Sequence, residues 1–156
     1  MGRIVITEFV SLDGVMEDPG GGESFRHGGW TFEINRGDEG DKFKLDEAFS
    51  SEALLLGRVT YEGFAAAWPS REGEFADKFN SMPKYVVSST LADPEWNNST
   101  VLKGDVAEEV AKLKREQDGD IVMSSVSRAM SRALFSLYLL RVARRLVDDF
   151  PLDPPW

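Results

Sequence analysis

The sequence predicts an α/β domain with a mostly parallel central sheet flanked by helices. Three observations carry that prediction. Short runs rich in Ile, Val, Leu and Phe alternate with segments of helical spacing, the order that builds parallel strands. Three of those runs lead into small polar groups, Gly57-Arg58-Val59-Thr60, Ser88-Ser89-Thr90 and Ser124-Ser125, and ligands collect beyond the carboxyl ends of such strands. The 156 residues suit one domain, 1–156, and show no internal repeat.

Each element has its own warrant. Arg3–Ser11 is rich in Ile, Val, Thr and Phe and reads as the first strand, turned by Ser11-Leu12-Asp13-Gly14. Asp18-Pro19-Gly20-Gly21-Gly22 is a breaker cluster, and the chain from there to Gly40 reads mostly as loop around Phe25 and Trp30. Asp41–Ser50 places Phe43, Leu45, Ala48 and Phe49 on one helical face. Ala53–Leu56 is a buried strand; Thr60–Ala67 is a short helix halted by Trp68-Pro69; Gly73–Asn80 is a second. Lys84–Ser88 and Thr100–Leu102 read as strands. Val106–Gln117 is amphipathic through Val106, Val110, Ala111 and Leu113, and Gly119 ends it before the strand Asp120–Met123. From Ser127 to about Phe150 the pattern stays helical. Ala129, Met130, Ala133, Leu134, Leu137 and Leu140 are spaced there as a core or dimer face.

Composition excludes several function classes. A formal net charge of -9 disfavours an extended nucleic-acid surface, which needs clustered Lys and Arg. The chain has no Cys, so thiolate catalysis, disulfides and Cys-based metal sites are out. Thr7 and Glu8 interrupt the first apolar run too early for a signal peptide. The later apolar stretch near 133–140 is far short of the ~20 residues that span a bilayer. The expectation is a soluble cytoplasmic protein with no nucleic-acid or membrane partner.

The segment from Leu54 to Glu62 is the most informative. A buried strand delivers a glycine, a fixed positive charge and a hydroxyl to the start of a helix. Backbone N–H groups at a helix start favour anions, and a guanidinium is a planar donor fork suited to phosphate. A positive charge there otherwise opposes the helix dipole. That combination suits a phosphorylated cofactor.

The segments Glu8–Val15, Leu54–Glu62, Lys84–Thr90 and Gly119–Met123 stand in the order and spacing of a known family. Over roughly Met1 to Met123 the chain resembles the dihydrofolate-reductase-like proteins related to the reductase domain of bacterial riboflavin biosynthesis. The resemblance implies a three-layer fold, NADPH as cofactor, a small-molecule substrate and often a homodimer. It implies that Gly57, Arg58, Val59 and Thr60 contact cofactor phosphates. It implies that Ser88, Ser89 and Thr90 lie near the adenosine and its 2′-phosphate. Ser124 and Ser125 stand where the family brings glycines against the pyrophosphate, and a serine adds a Cβ to that close approach. The chain departs further on. Instead of a helix, a strand and a closing hairpin, 124–156 carries Arg128, Arg132, Arg141, Arg144 and Arg145 on a helix-like stretch. Either a long amphipathic helix replaces the closing strands, or a shifted reading frame has replaced the natural end.

The leading expectation is an NADPH-dependent reductase of a small heterocycle, of the pterin or riboflavin-precursor pyrimidine class. The alternative is a catalytically impaired nucleotide-binding or structural dimer, because the phosphate loop and closing strands are altered. Asp13 is the candidate catalytic acid, although Asp-Gly is equally a turn former. Trp30 and Tyr61 are the candidates for substrate contact. Thr60 is read as either a helix cap or a phosphate ligand. His27, the single histidine, has no ligand set around it, so no metal is expected.

Overall fold

In the computed structural model, residues 1–22 and 24–124 are described. Five strands form one sheet in the order β1-β5-β2-β3-β4, with all four pairings parallel. They are β1 (Arg3–Thr7), β2 (Ser51–Gly57), β3 (Lys84–Val87), β4 (Ser99–Leu102) and β5 (Asp120–Ser124). The flanking helices are α1 (Gly37–Ser50), α2 (Arg58–Ala67), α3 (Glu74–Ser81) and α4 (Val106–Glu116), with one 3-10 turn at Trp30–Phe32. A parallel sheet flanked by helices is the predicted class, and it is the architecture of the dihydrofolate-reductase-like fold. The helical segment expected from Ser127 lies outside the described residues.

The sheet is apolar where it is central. Alternate residues of a strand share one face. On one face Leu54 and Leu56 of β2 join Val86 of β3 and Val122 of β5 in the main core. The helices add Ala48, Tyr61 and Phe79, and Trp96 enters from a loop. Phe64, Trp68, Phe75 and Phe79 form a chain of ring contacts between α2 and α3, with centroids 4.6 to 6.2 Å apart. Such pairs add to the burial of each ring.

Three local readings change. Strand β1 stops at Thr7 rather than Ser11. The chain is by then turning, with the Ser11 carbonyl accepting from Gly14 and the Val15 carbonyl from Ser11. Helix α1 begins at Gly37, four residues before Asp41, so Gly40 is tolerated inside it. Its inward stripe is also different. Ala48 is buried and Lys44 and Leu45 are half-buried, while Phe43 and Phe49 are 66% and 53% exposed.

The β3–β4 connection shows how a parallel crossover is held without a helix. Trp96 is buried in it; its backbone N–H donates to the Tyr61 hydroxyl at 2.9 Å and its Nε1 to Asn80 Oδ1 at 2.9 Å. Below it lies Lys84, the first residue of β3, 0% exposed. Its ammonium donates to the carbonyls of Asn80, Met82 and Asn97 at 2.9, 2.8 and 3.0 Å. It also sits 4.3 Å from the Trp96 ring centroid. Burial pulls its pKa down to about 8, while the three carbonyls and the ring face favour the charged form.

The candidate cofactor cleft

The cleft follows from where the strands stop. At the carboxyl end of β2, Gly57 is extended (φ -79°, ψ 160°) and serves as N-cap of α2. The helix therefore starts at Arg58, not at Thr60. Thr60 lies within the first turn and is buried; Gly57, not Thr60, holds the cap position. Val59 is partly exposed. At the carboxyl end of β3 the chain makes a hydroxyl-stabilised turn. Ser88 Oγ accepts from the backbone N–H of Thr90 at 3.2 Å and of Leu91 at 2.9 Å. At the carboxyl end of β4, Gly104 adopts φ +113°, a conformation L side chains rarely take. Asp105 then caps α4, its Oδ1 accepting from the Glu108 backbone N–H at 3.0 Å.

These three strand ends border an open cleft of about 370 Å³. Arg58, Ser88, Ser89 and Thr90 line it together with Val87, Leu102, Gly104 and Val106. Two separately predicted motifs thus share one cavity. Arg58 is the sole charged side chain in that lining. Its Nη1 donates to both carboxylate oxygens of Glu62 at 2.8 Å, one turn along α2. The start of α4 was not foreseen as part of this wall. Its signal was present as Gly104-Asp105 before an amphipathic helix, a capping pattern that also leaves N–H groups pointing outward.

The other predicted residues lie elsewhere. Ser124 ends β5, in register with Thr7 of β1, at the same edge of the sheet but outside the cleft lining. Ser125 lies outside the described residues. Asp13 is exposed in the Ser11–Val15 turn, where the Ser11 hydroxyl donates to it and holds its carboxyl below the usual range. It is thus an ionised acceptor at neutral pH. Trp30 is half-buried in a folded loop, with Nε1 donating to the Glu17 carbonyl at 3.1 Å. The same loop is gathered around buried Asp18, whose Oδ2 accepts from the Phe25 N–H and whose carbonyl accepts from Gly21 and Gly29. Tyr61 is corrected from a substrate contact to a core residue. It is 3% exposed, because its helical position turns it toward the sheet, where its hydroxyl holds Trp96.

At the carboxyl end of β1, Lys44 of α1 donates to Thr7 Oγ1 at 2.7 Å and to Glu47 Oε2 at 2.6 Å. Its ammonium also sits 5.1 Å from the Phe9 ring centroid. Sequence reasoning missed this cluster, because a lysine between Phe43 and Leu45 reads as a solvated position. Among the described residues no group of three or more His, Cys, Asp or Glu is arranged to hold a metal ion. No described helix is long and apolar enough to cross a membrane.

Comparison with known proteins agrees with this architecture. A crystal structure titled as a putative riboflavin biosynthesis protein from Shewanella sp. PV-4 superimposes with a TM-score of 0.56 at 19% identity. The match covers 79% of this chain and 64% of that one, so the chain spans somewhat less than two thirds of that protein. At that identity the likeness is one of fold. No curated protein matches the chain. The profile of the RibD C-terminal domain matches residues 3–136, and so runs past Met123. With most of its length matched, the chain belongs to the RibD C-terminal domain family.

Proposed function

We propose that the chain is an NADPH-dependent reductase of a small heterocycle, of the pterin or riboflavin-precursor pyrimidine class, acting as a homodimer. Family membership supports a reductase-like class. The observation that carries the finer reading is the shared cleft. One guanidinium, a three-residue hydroxyl turn and two helix starts converge at the carboxyl ends of parallel strands. That set fits a phosphorylated nucleotide. Backbone N–H groups at the start of α2, whose first turn carries no acid, supply donors without added charge, whereas the start of α4 carries Asp105, Glu108 and Glu109. Gly104 adds to the cleft wall a backbone without a Cβ, at a φ of +113° that other residues rarely adopt.

Arg58, Ser88, Ser89 and Thr90 would hold the adenosine end, and Gly57, Val59 and Thr60 the turn beside the phosphates. Ser124, at the carboxyl end of β5, would face the pyrophosphate with a hydroxyl where the family has glycine. When bound, NADPH supplies the hydride. The protein's part is orientation. Asp13, ionised and exposed, serves as an acceptor for a donor group of the substrate rather than as a proton source. Trp30 offers a flat apolar face for the substrate heterocycle.

Calorimetry with NADPH tests the reading, followed by absorbance at the nicotinamide band across pterins and pyrimidine precursors of flavins. Saturable binding and oxidation of NADPH by one of them are expected. Binding without turnover would favour the impaired, nucleotide-binding alternative. No binding by folded protein would end both.

A further inference from the structure

Among the described residues the cleft is lined by one cation, and that cation is already engaged. Arg58 Nη1 is shared by both oxygens of Glu62, 2.8 Å from each, in an i,i+4 pair on the first turns of α2. Both side chains are about half exposed, 44% and 49%, so the pair can open without unfolding anything. Exposed pairs of this kind are weak. A doubly charged phosphate entering the cleft is a stronger partner for a guanidinium than a carboxylate is. A phosphate that takes Nη1 displaces Glu62, whereas one held by Nε and Nη2 leaves the pair in place; in either case the carboxylate stays within a turn of the incoming charge.

We propose that Glu62 is a specificity-determining residue that competes with ligand phosphate for Arg58 and so sets how strongly the cleft prefers a 2′-phosphorylated nucleotide over its unphosphorylated counterpart. The inference rests on the nucleotide reading of the cleft given above. Glu62 supports the empty cleft by neutralising a charge that opposes the α2 dipole. It lowers affinity for the occupied one. Ligands without the 2′-phosphate leave the pair intact and escape the penalty.

The experiment uses the full chain and two probes, adenosine 2′,5′-bisphosphate and adenosine 5′-monophosphate, measured by calorimetry at low salt. Glu62→Gln keeps the shape of the side chain and removes its charge. A phosphate and a carboxylate several ångströms apart near a surface repel enough to change binding by about 3- to 10-fold. Glu62→Gln is therefore expected to bind the bisphosphate about 3- to 10-fold more tightly, with less than about a 2-fold change for the monophosphate. The gain should shrink at 0.5 M salt. In Arg58→Gln the preference for the bisphosphate should largely vanish, and adding Glu62→Gln should restore little of it.

An unchanged or weaker bisphosphate affinity in folded Glu62→Gln would overturn the role of Glu62 while leaving the nucleotide reading intact. An equal gain for both probes would also overturn it, because the effect would then not concern the 2′-phosphate. Failure of both probes to bind folded wild type and every variant would overturn the nucleotide reading and this inference together.

Discussion

Replacing Lys84 by Met is the most severe test of how the cleft is supported. The substitution keeps an unbranched apolar side chain and removes the ammonium that serves the carbonyls of Asn80, Met82 and Asn97. The bond to Met82 is fully buried, so its carbonyl loses its partner outright, at about 1–3 kcal/mol. The other two bonds are part-buried, where water offers partial replacement at about 0.5 kcal/mol each. The expected loss is about 2–4 kcal/mol. Urea unfolding followed by tryptophan fluorescence reads it directly, because Trp96 lies 4.3 Å from the missing charge. With a slope of about 2 kcal/mol/M, the midpoint should fall by about 1–2 M. The pH dependence gives a second readout. Burial lowers the folded pKa from 10.5 to about 8, so between those values the unfolded chain holds a proton that the fold has released. Stability of the wild type should rise with pH across that window, by at most about 1.4 kcal/mol per unit, and Lys84→Met should lack this contribution. A variant within about 1 kcal/mol of wild type at pH 7 would refute the idea that the ammonium organises this corner.

Three further outcomes follow from packing and backbone geometry. Tyr61→Phe leaves the buried Trp96 N–H without its acceptor and should cost about 1–2 kcal/mol in urea unfolding. Gly28→Ala drives a Cβ into the Asp18 carboxylate and close to the Phe25 carbonyl, so limited proteolysis should cut the loop near 20–30 faster, with global stability little changed. Gly104→Ala meets no steric obstacle but must hold φ near +113°; a loss of about 1–3 kcal/mol, read as a lower thermal midpoint, is expected.

Much of this was legible in the sequence because period and punctuation agree. Leu54-Leu55-Leu56 followed by Gly57 reads as a strand end, and Gly119 before Asp120-Ile121-Val122-Met123 reads as a strand start. What escaped depends on neighbours distant in the chain. Lys84 at the head of a strand looks like a solvated end; only the Trp96 loop and the end of α3 closing over it make it core. Phe43 and Phe49 dominate any hydrophobic reading of α1, yet the helix turns Lys44 and Ala48 inward, because Thr7 and Glu47 give that ammonium partners. Tyr61, beside Thr60 in a promising motif, attracts a ligand role, whereas helix geometry alone sends it to the sheet. The cleft was half readable: its strand ends carry local signals, but the arrival of Gly104 and Val106 opposite Arg58 is a product of topology.

The strand order also governs how the protein is made. Strand β5 lies between β1 and β2, so β1 has no described neighbour until β5 has emerged. Arg3 meets its bidentate partner Asp120 across 117 residues of chain. Strands β2, β3 and β4 can assemble early, whereas β1 must wait with its apolar residues uncovered. Contacts of such long range slow folding and prolong exposure of sticky segments. The cleft at the ends of β2, β3 and β4, lined from Arg58 to Val106, can thereby form before β5 emerges. The Thr7–Ser124 pairing beside it can form only once β5 inserts between β1 and β2.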